Sequence, residues 1–271
     1  RMRLLKQIFD FYLNSSIHVA LSCYALVQIT FYVFHIQYDE PMVLFGFFGT
    51  IVGYNFVKYD ALVRVNKKPV GNQLKIIAVL SFISLLLAGY YFFYLKQITQ
   101  IISVGIFIIT VFYTLPFFPN RKNARNWAGI KIYIVALCWV GATLVLPYIN
   151  AEIPFTTDFF IKCIQRFVLV FVLILVFEIL DLGNDDPHLK TVPQAIGIKR
   201  TKVLGFLLLV LFWFLEIFMS TFNYHNAIIN LIMIIMLMLF IVFADTNLSK
   251  YYTSFWVESV PIFWWLIILY L

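Results

Sequence analysis

Charge is scarce in this chain: only 12% of its 271 residues are charged, and only 13 are acidic. Soluble domains carry about twice that share of charged residues, so a soluble globular protein is excluded. Hydrophobic residues make up 63% of the chain and are spread along all of it, which indicates an integral membrane protein. The three cysteines (Cys23, Cys138 and Cys163) lie apart in apolar runs, which excludes a disulfide framework and a cysteine-bound metal.

Several chemical motifs are also missing. The chain has no glycine-rich phosphate loop, no nucleic-acid-binding motif and no pair of histidines at a metal-ligand spacing. Its net charge of +7 therefore does not predict a nucleic-acid partner. In a membrane protein the basic residues report topology and contact anionic headgroups, so membrane lipids are the expected partners.

A helix needs about 20 apolar residues to cross a bilayer. Nine stretches meet this requirement, so the predicted fold class is an all-α polytopic bundle, built as a single domain over residues 1–271. The basic residues 1–6 precede an apolar run too long for a signal peptide, and that run is interpreted as the first spanning helix. The predicted spans are residues 15–34, 41–57, 75–95, 98–118, 129–149, 160–180, 203–222, 226–244 and 254–271.

The basic residues also predict the orientation. Of the 20 Lys and Arg residues, 17 fall on one side of the membrane when the predicted spans alternate. Basic loops stay in the cytoplasm, which places the N-terminus there and, with nine helices, the C-terminus outside. The expected location is a prokaryotic plasma membrane.

The main functional signal is a cluster of acids at the end of the sixth predicted helix. Glu178, Asp181, Asp185 and Asp186 directly follow the apolar run 167–177. On a helix, Asp181 and Asp185 would lie on one face about 6 Å apart, where two like charges are stabilised by a shared cation. Mg²⁺ suits such a pair, because it takes one or two carboxylates and completes its shell with water and phosphate oxygens. The alternative is that the acids only end the helix at the lipid headgroups.

The segment after the second predicted helix faces the same side of the membrane. Its Asn55 and Asp60 offer further oxygen ligands for a metal. The basic residues on this side offer contacts to a diphosphate. These are Lys58, Arg121, Lys122, Arg125, Lys131 and Lys190.

This arrangement resembles the UbiA superfamily of intramembrane prenyltransferases, which has nine helices and acidic motifs after helices two and six. The specific match is Asp181-Leu-Gly-Asn-Asp185 followed by Lys190-Thr-Val-Pro and, four residues later, Gly197, in the order and spacing of that family's second motif. The first motif departs from the family pattern of Asn-x-x-x-Asp-x-x-x-Asp. Counted from Asn55, the two aspartate positions hold Tyr59 and Val63.

The resemblance implies Mg²⁺-dependent transfer of a prenyl group from a polyprenyl diphosphate to an aromatic or lipid acceptor within the membrane. The site would face the cytoplasm. Carried over to this sequence, it assigns the metal ligands Asp181, Asp185, Asn55 and Asp60, the diphosphate contacts Lys190, Arg121, Lys122 and Lys58, and the supporting residues Glu178 and Tyr113.

Two other functions stay open. The incomplete first motif favours a non-catalytic relative that binds or presents an isoprenoid lipid. The third is a transporter with Asp181, Asp185 and Glu216 as cation or proton sites, because acids inside a membrane span are by default functional candidates. Glu216 lies within the seventh predicted helix and has no partner evident in the sequence. The sequence does not define the acceptor or the prenyl chain length, and no obligate protein partner is inferred from it.

Overall fold

The computed structural model describes residues 2–65, 71–114, 129–185, 187–220 and 222–271, with all their side chains except those of residues 2, 3 and 60–65. The regular structure in these ranges is entirely helical, which confirms the predicted all-α class. Two π-helical turns, Gly141–Val145 and Tyr252–Val257, and one 3₁₀ turn, Pro187–Leu189, accompany the α-helices. The α-helices are α1 (Met2–Asn14), α2 (Ile17–Val33), α3 (Glu40–Val65), α4 (Asn72–Phe92), α5 (Gln97–Thr114), α6 (Lys131–Val140), α7 (Leu146–Asn150), α8 (Thr157–Asp181), α9 (Val192–Ile196), α10 (Ile198–Ile217), α11 (Tyr224–Phe243) and α12 (Val260–Tyr270).

Polar side chains start several of these helices just before the apolar runs. Thr156 Oγ1 accepts a hydrogen bond from the Phe159 N–H at 3.3 Å, where α8 begins. Asn223 Oδ1 accepts one from the His225 N–H at 2.8 Å, where α11 begins. Such caps satisfy N–H groups that the first turn of a helix leaves unpaired, and they fix where the helix starts.

Seven helical stretches in the described part of the chain are long and apolar enough to cross a membrane. The chain is therefore an integral multi-pass membrane protein. The seven are Glu40–Tyr59, Asn72–Phe92, Gln97–Thr114, Lys131–Asn150, Thr157–Asp181, Tyr224–Phe243 and Tyr252–Tyr270. The predicted count of nine is not confirmed. Helix α10 falls outside the seven because every stretch of 18 residues in it includes at least three charged residues, among Lys199, Arg200, Lys202 and Glu216.

The first predicted span corresponds to α2, which forms a bent pair with α1. Helices α1 and α2 meet at Ser15 and Ser16 with an angle of 53°, and together they form an eighth candidate span. Ser16 has a left-handed backbone, with φ of 63°, which breaks the helix at this point. The sequence prediction began at residue 15 and so missed α1.

Helix α8 lies at the centre of the bundle. Its buried residues Leu169, Val172, Val176 and Ile179 recur every three or four positions and pack in one cluster with residues of α2, α10, α11 and α12. Another side of α8 contacts α6. This packing holds α8 along its length and places its C-terminal residue, Asp181, at one end of the bundle.

Candidate functional site

The acids Asp181 and Asp185 lie together where α8 ends. Asp181 is the last residue of the helix and its side chain is exposed, while Asp185 is half-buried in the turn that follows. The Asp185 N–H donates to the Asp181 carbonyl oxygen at 2.9 Å, as it would in a continuing helix, so the four-residue spacing keeps its helical form. Asp185 Oδ2 is buried and has no hydrogen-bond partner among the described residues. A buried carboxylate oxygen without a partner is costly unless a ligand completes it.

Glu178 lies one turn before Asp181 and holds the next segment in place. Its side chain is 3% exposed, and its Oε2 accepts a hydrogen bond from the Val192 N–H, the first residue of α9, at 3.0 Å. Lys131, at the start of α6, lies within electrostatic range of both Glu178 and Asp181. Three helices thus contribute to the acidic end of the bundle.

The segment 187–197, which carries the Lys-Thr-Val-Pro motif, is tied to its surroundings by further hydrogen bonds. Gln194 Oε1 accepts from the Thr191 N–H at 2.9 Å, which closes the first turn of α9. The Leu189 carbonyl accepts from the Gly129 N–H at 2.9 Å and joins the segment to the start of α6. Lys190 has a left-handed backbone, with φ of 47°, and its side chain is exposed beside this turn.

Asn55, predicted as a metal ligand, lies in α3 with its side-chain amide buried and bonded to neighbouring segments. Its Oδ1 accepts from Ser16 Oγ at 2.8 Å, and its Nδ2 donates to the Ser15 carbonyl at 3.0 Å and to Ser81 Oγ at 2.8 Å. Tyr59, at the first missing aspartate position, donates its hydroxyl to the Asn14 carbonyl at 2.7 Å. Both side chains therefore join α3 to the α1–α2 junction.

We expect Asn55→Ala to lower the free energy of unfolding by about 2–3 kcal/mol, because it removes the partner of the Ser16 hydroxyl and the Ser15 carbonyl at the α1–α2 junction and of the Ser81 hydroxyl on α4. Thermal unfolding of the purified protein without substrate measures this. Ser81→Ala, which removes only one of the three bonds, is the control and should cost less. Unchanged stability together with lost Mg²⁺ binding would contradict a structural role and indicate a metal ligand.

The structure describes the side chains of only two of the remaining predicted site residues. Lys58 has an exposed side chain on α3, and Tyr113 is buried near the end of α5. Arg121 and Lys122 lie outside the described residues, as does the side chain of Asp60.

Sequence reasoning missed Glu258. It follows the π-helical turn Tyr252–Val257, is half-buried, and lies within electrostatic range of Lys58 and of Tyr54. Tyr54 in turn accepts a hydrogen bond from Trp139 Nε1 at 2.7 Å. The signal in the sequence was an acid inside an apolar run, which is rarely without a role.

Glu216 is not part of this site. It is buried in an ion pair with Lys162, which lies near the beginning of α8, so the pair is about 28 Å along the helix from Asp181. Lys162 is therefore the partner of Glu216 that was not evident in the sequence.

In the described part of the chain, no group of three or more His, Cys, Asp or Glu side chains is arranged to hold a metal ion. Mg²⁺ does not require such a group, because one or two carboxylates hold it and substrate phosphates complete its shell. Asp181 and the unpartnered oxygen of Asp185 match that smaller requirement.

No protein-family model and no curated protein matches this sequence. Solved structures do match over nearly its whole length. A UbiA homologue from Archaeoglobus fulgidus bound to GPP and Mg²⁺ is 15% identical, with 95% of this chain and 97% of that chain covered and a TM-score of 0.63. An apo UbiA homologue from Aeropyrum pernix is 11% identical, with 93% and 98% covered and a TM-score of 0.66. A structure of digeranylgeranylglyceryl phosphate synthase is 15% identical, with 97% and 96% covered and a TM-score of 0.56.

Proposed function

This chain has the fold of the UbiA superfamily, and on that premise we propose that it is an intramembrane prenyltransferase, which transfers a prenyl group from a prenyl diphosphate to a hydrophobic acceptor. The observation that carries the proposal is the unpartnered, buried carboxylate oxygen of Asp185 beside Asp181. The Archaeoglobus fulgidus homologue of the same fold was solved with GPP and with DMAPP, each together with Mg²⁺.

In this proposal Asp181 and Asp185 hold Mg²⁺ at the end of α8. Bound there, Mg²⁺ supplies positive charge to the diphosphate leaving group. Lys190 and Lys131 lie at the same end of the bundle and are assigned to the diphosphate oxygens, because ammonium groups bind phosphate as point charges. Glu178 positions these groups through its hydrogen bond to the Val192 N–H, which holds α9 against α8. The basic segments around this end support the proposal that it faces the cytoplasm.

The opposite half of the site is assigned to residues of α3. Asp60 is retained as an oxygen donor together with Asn55, whose Oδ1 has a second lone pair besides the one that accepts from Ser16 Oγ. Lys58 supplies positive charge where the first motif lacks its aspartates. Tyr113 supports the site from α5. Arg121 and Lys122 are further candidates for the diphosphate.

Lys58→Ala is expected to weaken prenyl diphosphate binding about 10-fold, because one charge-assisted contact is lost. The affinity is measured by titrating the purified protein with geranyl diphosphate in the presence of Mg²⁺. Lys96→Ala is the matched control, since Lys96 is exposed and paired with Glu152 near the start of α8, at the other end of the bundle. Equal affinities of the two variants would remove Lys58 from the site.

A second candidate function is a non-catalytic protein that binds an isoprenoid lipid. It is favoured by the hydrogen bonds of Asn55 and Tyr59, which use the remnants of the first motif to join helices.

The two candidates predict different behaviour. Native mass spectrometry with a panel of prenyl diphosphates, with and without Mg²⁺, tests whether the donor binds at all. Labelled acceptor product then separates an enzyme from a binding protein. Binding of prenols with no preference for their diphosphates would refute the prenyltransferase proposal.

A further inference from the structure

A second group of buried polar side chains lies at the other end of α8, far from Asp181. Lys162 Nζ contacts Glu216 Oε2 at 2.7 Å, and Gln165 Nε2 donates to the same oxygen at 2.9 Å. Gln165 Nε2 also donates to the Phe212 carbonyl at 2.9 Å. Buried charges of this kind are expensive in a membrane protein, and they persist where they serve packing or a ligand.

Arg166, one residue further along α8, adds a second buried cation. Its guanidinium donates to the Leu26 carbonyl at 3.1 Å, to Thr143 Oγ1 at 2.8 Å and to Thr30 Oγ1 at 3.3 Å. Thr143 belongs to the π-helical turn Gly141–Val145, whose distorted hydrogen bonding leaves polar groups for such a donor. All the hydrogen-bond partners of Arg166 among the described residues are neutral, so none of them is a carboxylate.

These side chains line a small cavity. Its volume is about 30 Å³, and it lies between α2, α8, α10, α11 and α12. One water molecule occupies about 10–15 Å³ by this measure, so the cavity holds about two particles of that size. Its polar lining includes Lys162, Gln165, Arg166, Glu216, Asn230 and Trp264.

Two of the lining side chains have buried polar atoms without a partner in the described structure. These atoms are the Trp264 indole Nε1, a donor, and Gln165 Oε1, an acceptor. Trp264 is 6% exposed and Gln165 is 2% exposed, so bulk water does not satisfy them. Buried polar atoms in native proteins are nearly always hydrogen-bonded, which indicates that something polar occupies the cavity.

The charge of the lining selects the class of occupant. Lys162 and Arg166 contribute two positive charges and Glu216 contributes one negative charge. A further acid, Asp158, is half-buried and lies within electrostatic range of Lys162, but it does not line the cavity, and its carboxylate accepts from the Ser220 N–H and hydroxyl at 2.9 and 2.6 Å. Among the described residues that line the cavity, two cations therefore face one carboxylate, which leaves a surplus of one positive charge in the lining. The cost of an unbalanced buried charge favours an anion over water alone.

We propose that this cavity binds one monovalent anion of chloride size, held by Arg166, Lys162 and the Trp264 N–H, with one water donating to Gln165 Oε1. The site is separate from that of the proposed prenyl transfer, because its α8 residues Lys162 and Arg166 lie about 22–28 Å along the helix from Asp181.

Replacing one tryptophan tests the proposal without changing any charge. Chloride is titrated calorimetrically into protein purified in gluconate, at constant ionic strength. The expected result is saturable binding to the native protein and about tenfold weaker binding to Trp264→Phe, the loss expected for one hydrogen bond to a charged group. Trp213→Phe is the matched control, because the Trp213 N–H is also buried and unpartnered, yet Trp213 does not line the cavity.

Glu216→Gln provides a second test with the opposite sign. Removing the one carboxylate of the cavity should make chloride bind about tenfold more tightly, whereas a merely structural role predicts no gain in affinity. A thermal midpoint that rises with chloride in this variant would agree with the proposal. The proposal would be overturned if neither the native protein nor Glu216→Gln bound chloride saturably. Equal chloride affinities of Trp264→Phe and Trp213→Phe would also overturn it.

Discussion

Asp185→Asn should abolish Mg²⁺-dependent binding of a prenyl diphosphate. The substitution keeps the shape of the side chain but replaces one carboxylate oxygen with an amide nitrogen and removes the negative charge. In the described structure, Oδ2 of this carboxylate is buried and has no hydrogen-bond partner. Losing a group that supports a metal ligand typically costs 10–100-fold in affinity, so the loss of a ligand itself should reach about 100-fold or more. Titration of the purified variant with geranyl diphosphate, with and without Mg²⁺, measures the change.

Asp181→Asn should have the same effect, because the two acids are proposed to share one metal. Glu152→Gln is the matched control: Glu152 is an exposed acid near the start of α8, paired with Lys96. Its variant should bind as the native protein does. Undiminished Mg²⁺-dependent binding in both aspartate variants would reject the assignment of the metal site.

Lys162→Met should lower the free energy of unfolding by about 3–5 kcal/mol, the usual cost of leaving one partner of a buried ion pair alone. The reason is that Glu216 would keep only the hydrogen bond from Gln165 inside the bundle. Chemical or thermal unfolding in detergent, at one fixed salt composition, measures the change.

The double variant Lys162→Met/Glu216→Gln provides the control for this prediction. Removing both charges should recover most of the lost stability, because replacing a whole buried pair is far less costly than breaking it. Equal losses in the single and the double variant would mean that Lys162 contributes through packing of its alkyl chain rather than through its charge.

The acidic end of α8 was predictable because its signal is local. Asp181 and Asp185 are four residues apart, and the turn that follows α8 keeps residues at this spacing next to each other. The apolar run before them forms a buried helix for the same local reason. The role of Glu178 was less accessible, since its partner is the backbone N–H of Val192, and the path of the chain between them decides whether the two meet.

Contacts between distant segments were not predictable from one sequence. Lys162 and Glu216 are paired across two helices, and neither carries a local sign of the other. Asn55 illustrates the same limit, because its amide bonds to Ser15 and Ser16 at the α1–α2 junction and to Ser81 on α4. Glu258 was missed although an acid in an apolar run is itself a signal.

The positions of the helices were predicted more accurately than the number of helices that could span the membrane. Apolar runs define helices through composition alone, whereas the bend between α1 and α2 depends on the left-handed backbone of Ser16. Helix α10 forms where the seventh span was predicted, but it begins earlier, at Ile198, and includes the basic residues of the preceding segment. In the bundle it packs against α8 and α11.

Turnover of a labelled donor tests the central claim most directly. Purified protein is incubated with radiolabelled geranyl diphosphate and a total membrane lipid extract, with and without Mg²⁺. The proposed function predicts a labelled lipid product and release of diphosphate, both dependent on Mg²⁺ and both absent in Asp185→Asn. Mg²⁺-dependent binding of the donor without product, across a panel of acceptor extracts and prenyl chain lengths, would contradict it and establish a non-catalytic isoprenoid-binding protein.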